Sequence, residues 1–130
     1  IVIFHSNKKK LHSIKKEIEK VLNEDNLSVK PNWQIFKTDS RPLDFLGYKF
    51  YRFHTELRSS LALRIKRRVK KIYKKKYITI KDAGSIISYY GWIKSSNSRN
   101  FYLKNVKKYI DINECKKVIR NHHKCLIKGE

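Results

Sequence analysis

The sequence is short of several residue types. Its 130 residues include no methionine, two cysteines, two prolines and four glycines. Cys115 and Cys125 are too few for a disulfide framework and fit a reducing compartment, so a cytoplasmic location is expected. No apolar run approaches the roughly 18 residues that cross a bilayer, and no signal peptide is visible. The opening run Ile1-Val2-Ile3-Phe4 has no polar lead-in. With no methionine present, this leads to the expectation that the chain is a segment of a longer protein.

Acidic residues are the most telling shortage. Eleven Asp and Glu face 32 Lys and Arg, leaving a net charge of +21. The aspartates are Asp25, Asp39, Asp44, Asp82 and Asp111, each at a turn or helix cap. None forms a strand-end pair that could hold two Mg²⁺ ions. There is no glycine-rich phosphate loop and no Ser/His/Asp or Cys/His spacing signature. The residues themselves therefore point to no catalytic centre and no metal site, and the chain alone is expected to be inactive. The charge calls for a polyanionic partner, nucleic acid ahead of a membrane surface.

The residues present organise around Phe45-Leu46-Gly47-Tyr48-Lys49-Phe50, read as a β-hairpin arm with Tyr48 and Phe50 on one side of the pleat. Gly47, taken as mid-strand, marks a bulge or a close backbone approach. Upstream, Ile1–Phe4, Leu27–Val29 and Trp33–Phe36 read as short strands. Leu11, Ile14, Ile18, Val21 and Leu22 form the stripe of a helix expected to lie on the sheet. Glu56-Leu57-Arg58 is expected to pair back on the arm.

Downstream, a helix over 59–74 carries Leu61, Ile65, Val69 and Ile72 as one stripe. Arg64, Lys66, Arg67, Arg68, Lys70, Lys71 and Lys74 occupy the rest of its surface. Nine of the thirteen residues from Arg64 to Lys76 are basic, too dense for an ordinary solvated face. Such groups meet phosphates, which position a duplex without reading its sequence. Thr79 with Asp82, and Asp111 with Glu114, read as capping pairs for two further helices. Gly91 is expected to interrupt the first of these or to admit another backbone.

Tyr89, Trp92, Phe101 and Tyr102 flank a polar break at 95–98 and suit packing between helices. Trp92, off the apolar stripe, is the candidate for an exposed base-stacking ring. Cys115, His122 and Cys125 share a helical face with Val118, Ile119 and Leu126, which points to core rather than to zinc. The expected class is α+β: a small antiparallel sheet with one packed helix over residues 1–58, then a basic three- to four-helix bundle over 59–130.

Several stretches, in order, resemble bacterial reverse transcriptases. Ile1-Val2-Ile3-Phe4-His5-Ser6 is similar to the strand that follows their Tyr-x-Asp-Asp motif. Asp44-Phe45-Leu46-Gly47-Tyr48-Lys49-Phe50 is similar to their primer grip. Ser88-Tyr89-Tyr90-Gly91-Trp92-Ile93-Lys94 with Asn97-Ser98 is similar to a thumb motif of group II intron-like and retroelement-type enzymes. The resemblance implies the C-terminal part of a palm followed by a helical thumb. It implies an intact RNA-directed DNA polymerase using Mg²⁺, with the metal-binding aspartates outside this chain. Phe45, Leu46, Gly47 and Tyr48 would form the primer grip. Arg64, Arg67, Arg68 and Lys71 would meet an RNA–DNA or RNA template–primer duplex. Lys30 is the candidate motif lysine, two residues before Asn32-Trp33, where the family often has Lys-Thr. The competing reading is a free-standing basic nucleic-acid-binding module. An unpaired palm edge at Ile1–Phe4 would favour self-association.

Overall fold

The computed structural model describes residues 1–127, with side chains through Cys125. The chain is α+β, with a three-stranded antiparallel sheet and a set of helices. It divides into two compact units, Ile1–Ser40 and Arg41–Glu130.

The first unit is built on α1 (Lys8–Glu24). Asn7 caps it, its Oδ1 accepting the Lys9 and Lys10 amides at 2.9 and 3.4 Å. The far end closes on Asn26, in the left-handed region at φ 56°, with the Leu27 amide donating to the Leu22 carbonyl at 2.8 Å and the Asn26 amide to Asn23 at 3.1 Å. That is a Schellman closure, with asparagine taking the place glycine usually holds. Trp33 packs edge-on to His12, and the Lys15 ammonium sits 4.3 Å from its ring centroid.

Two expectations fail in this unit. Ile1–Phe4, Leu27–Val29 and Trp33–Phe36 are not strands, and α1 buries none of its residues. A strand exists only as part of a ladder, and these runs form none among the described residues. The stripe of α1 meets no sheet within 1–40.

The sheet belongs to the second unit. β1 (Leu43–Phe45), β2 (Tyr48–Phe50) and β3 (Thr55–Leu57) follow in order, with Phe45 opposite Tyr48 and Tyr48 opposite Leu57. The arm is thus a hairpin as expected, and 55–57 pairs back on it. Gly47 lies in the turn rather than within a strand, and no bulge forms. Leu46 and Gly47 have φ 47° and 83°, the two left-handed residues of a tight turn whose twist matches the strands it joins.

Four helices follow: α2 (Ser59–Lys75), α3 (Ile80–Lys94), α4 (Arg99–Tyr102) and α5 (Ile112–Ile127). One π-helical turn, Leu103–Lys107, extends α4 and carries Val106 inward. The core joins Leu57 of the sheet to Leu61, Ile65, Val69 and Ile72 of α2. Ala83, Ile86 and Ile93 of α3, and Val106, Ile110, Ile112 and Cys115, complete it. Every member of the α2 stripe read from the sequence is buried, because 4-4-3 spacing keeps all four on one side of a 3.6-residue helix. Gly91 neither breaks α3 nor admits a neighbour: the helix runs through it, and a β-carbon there would meet nothing within 4 Å. On α5, Cys115 is buried and Val118 and Ile119 half-buried, but His122 and Cys125 are exposed. The core contact of α5 therefore ends earlier than its stripe suggested. The Leu126 side chain lies outside the described residues.

Candidate nucleic-acid interface

Anchoring one stripe of α2 in the core turns its basic residues outward. Arg64, Lys66, Arg67, Lys70, Lys71 and Lys74 are all exposed, and α2 contains no acidic residue to neutralise them. Arg67, Lys70, Lys71 and Lys74 line an open depression of about 370 Å³. Arg64, Arg67, Lys71 and Lys74 recur every three or four residues and so form one row. At 1.5 Å per residue the row is about 15 Å long, the axial rise of four to five nucleotides of one strand. Like charges at this spacing repel each other on an isolated helix. Burial of Ile65 and Val69 (0% exposed) holds them in place despite that repulsion.

Arg68 is different. It was expected among the backbone contacts, but its guanidinium turns toward α3. Nη2 donates to Oδ1 of Asp82 at 2.8 Å, and Lys75 Nζ donates to Oδ2 at 3.2 Å. Asp82 is 1% exposed, the one buried charged residue among those described. It also closes a capping box at the start of α3. The Thr79 hydroxyl donates to Oδ2 at 2.8 Å, the Thr79 amide donates to the same oxygen at 3.4 Å, and the Asp82 amide donates to Thr79 Oγ1 at 3.2 Å. Burial pushes this carboxyl's pKa up. The hydrogen bonds from Thr79 and Lys75, with the Lys75 charge, outweigh that and hold it below the usual carboxylate value. The basic run is therefore divided: Arg68 and Lys75 tie α2 to α3, and the others face solvent.

The four hairpin residues also divide. Phe45 and Leu46 are exposed, Leu46 over 67% of its surface. Gly47 and Tyr48 face the end of α3. A β-carbon on Gly47 would stand 2.6 Å from Cζ3 of Trp92, so the close approach expected of this glycine is to an indole ring. Tyr48 stacks on that indole with centroids 5.1 Å apart, and its hydroxyl donates to the Trp92 carbonyl at 3.2 Å. Trp92 is therefore not the exposed ring expected. It is half-buried, held by Gly47 and Tyr48, because the sheet folds onto the α3 face that the helical stripe left open. Tyr89, Phe101 and Tyr102 pack against the core as expected. Burial raises the Tyr102 hydroxyl's pKa, with smaller contributions from Tyr90 and Asp111.

Asn97, part of the thumb-like motif, has a positioning role that the motif does not disclose. Its Oδ1 accepts the Thr55 amide at 2.9 Å, and its own amide donates to the Thr55 carbonyl at 2.8 Å. It acts as a one-residue strand on the start of β3. Nothing local could have shown this, since the partners are 42 residues apart. The same holds for Arg58, whose Nε donates to Asp44 Oδ1 at 2.6 Å.

Lys30 lies exposed in the first unit, just before the Pro31 turn. Cys115, His122 and Cys125 do not converge, and among the described residues no three His, Cys, Asp or Glu side chains could share a metal ion. Asp82 is occupied by two cations and a cap, and Asp44 is paired with Arg58. Among the described residues no helix is long and apolar enough to cross a membrane. Compared with protein-family models, curated proteins and solved structures, the chain matches none of them.

Proposed function

We propose that this chain holds a nucleic-acid duplex by its phosphates, as the end of the palm and the thumb of an RNA-directed DNA polymerase. The observation that carries the reading is the acid-free row Arg64, Arg67, Lys71 and Lys74, with Lys66 and Lys70 beside it, on a helix whose other side is anchored in the core. A helix anchored in the core fixes the spacing of the cationic positions, so its backbone needs no reorganisation to meet a polyanion. The motif resemblance supplies the polymerase part, and RNA–DNA or RNA template–primer duplex is the partner it favours. Phe45 and Leu46 are the exposed side chains of the grip. The reading gives the chain binding and positioning, and no bond-making step.

Fluorescence anisotropy tests it. Labelled RNA–DNA hybrid, duplex DNA and single strands are titrated with the full chain at several salt concentrations. Four neutralised phosphates give a slope of log affinity against log salt of about −3.6 on duplex DNA. Changing Arg64, Arg67, Lys71 and Lys74 to Ala should remove most of that slope. An unchanged slope in this variant would show that the charge acts as a diffuse field and that α2 is not the contact surface.

A further inference from the structure

The loop between β2 and β3 carries four consecutive exposed side chains, Tyr51, Arg52, Phe53 and His54. It lies outside both the grip motif and the α2 row. The Tyr51 amide donates to the His54 carbonyl at 2.9 Å, which closes the loop and puts Arg52 and Phe53 at its apex. The flanking rings lie face to face, Tyr51 on His54 with centroids 4.3 Å apart and planes 8° apart. At the apex the Arg52 guanidinium carbon stands 5.3 Å from the centroid of the Phe53 ring. Phe53 is nevertheless 88% exposed. A phenyl ring presented this openly is costly in water, and here it is aimed outward by a closed turn rather than by a frayed end. The base of the loop is fixed by the Asn97 clamp on Thr55.

We infer that the Tyr51–His54 loop is a stacking site for unpaired nucleobases, taking a single-stranded segment beside the duplex held by α2. This rests on the proposal that the chain binds nucleic acid. Charge complementarity selects the occupant. An apolar protein surface would be indifferent to the +21 charge of the chain, whereas a single strand brings a flat π-face for Phe53 and phosphates that this charge attracts. Aromatic rings interleaved with cations bind single strands in this way and with little sequence preference, because every base has a π-face. A base on the open side of Phe53 would complete a sandwich of guanidinium, phenyl and nucleobase.

The test compares full-length wild type with Phe53→Ala, Phe53→Leu and Phe53→Trp on three probes: blunt RNA–DNA hybrid, the same hybrid with a single-stranded overhang carrying 2-aminopurine, and the single strand alone. All variants are checked by circular dichroism, and the exposure of Phe53 makes their folding expected. Loss of one stacked base corresponds to a fall of about tenfold in affinity for the overhang and the single strand. Phe53→Ala and Phe53→Leu should both show it, with the blunt hybrid unchanged. Phe53→Trp should restore affinity, and wild type should quench the 2-aminopurine. Equal overhang affinity in wild type and Phe53→Ala would overturn the inference, and so would full overhang affinity of Phe53→Leu, which keeps the apolar bulk and loses the ring. Loss of binding to anionic phosphatidylserine vesicles in Phe53→Ala, with single-strand affinity intact, would assign the loop to a lipid surface instead. Any of these results with salt-steep binding of the blunt hybrid by the α2 row intact would leave the duplex reading standing. Failure of wild type to bind any of the three nucleic acids would overturn both.

Discussion

Replacing Asp82, the buried carboxylate between α2 and α3, with alanine is expected to loosen that helix pair. The carboxylate closes a capping box, and losing a cap costs about 1 kcal/mol. It also accepts from Arg68 and Lys75, and hydrogen bonds to charged groups contribute about 1.5–3 kcal/mol. The loss is softened because the Arg68 and Lys75 side chains are 31% and 34% exposed and regain water once released. A net destabilisation of about 2–3 kcal/mol follows from these terms. Against a total stability of roughly 5–15 kcal/mol that is a large fraction, and for a unit of this size it lowers Tm by about 10–20 °C. Urea denaturation followed by circular dichroism at pH 7 measures it. Asp82 has a lowered pKa in the folded state, so its contribution is fully present above the unfolded value near 4 and fades as pH falls through the folded value. Asp82→Asn should therefore flatten the acid limb of the stability profile. A loss below about 0.5 kcal/mol in Asp82→Ala, with an unchanged acid limb, would refute the argument that this buried carboxylate joins the helices. Arg68→Ala separates structure from binding: it should lower stability and leave the salt slope for duplex binding intact, the reverse of Arg67→Ala.

Gly47→Ala places a methyl 2.6 Å from the Trp92 ring at a backbone φ of 83°. Left-handed strain of about 1–2 kcal/mol and overpacking of about 1–3 kcal/mol should together cost about 2–5 kcal/mol, with a changed near-ultraviolet tryptophan signal. Unchanged stability and spectrum would mean that the hairpin is not seated on the indole. The Cys115 thiol is buried, and burial, with smaller effects of Glu114 and Asp111, pushes its pKa up, while Cys125 is exposed. In a disulfide-exchange assay at pH 8, Cys125 should react at once and Cys115 only after urea is added; equal rates for both would contradict the packing of α5.

Local patterns in the sequence were enough to locate the α2 stripe, the Thr79–Asp82 cap and the hairpin with its returning strand. Each of these depends on residues a few positions apart: helical spacing, a three-residue reciprocal bond, or a turn between adjacent strands. The density of basic residues on α2 was equally legible, because charge is a property of composition and needs no fold to be seen. The division of that charge was not. Arg67 and Arg68 are neighbours of the same type, and only the placement of α3 directs one to solvent and the other to a buried aspartate. Trp92 was misread for the same reason. A helical wheel ranks faces by the helix's own residues, whereas its burial came from a turn at Gly47, 45 positions away. The strands expected at 1–4, 27–29 and 33–36 failed because β-structure is a property of pairs, and an apolar run by itself cannot supply its partner. Local spacing and composition thus determined which helices form and how much positive charge they carry. Tertiary packing decided which of those charges and aromatic rings face solvent, because exposure is set by elements distant in sequence.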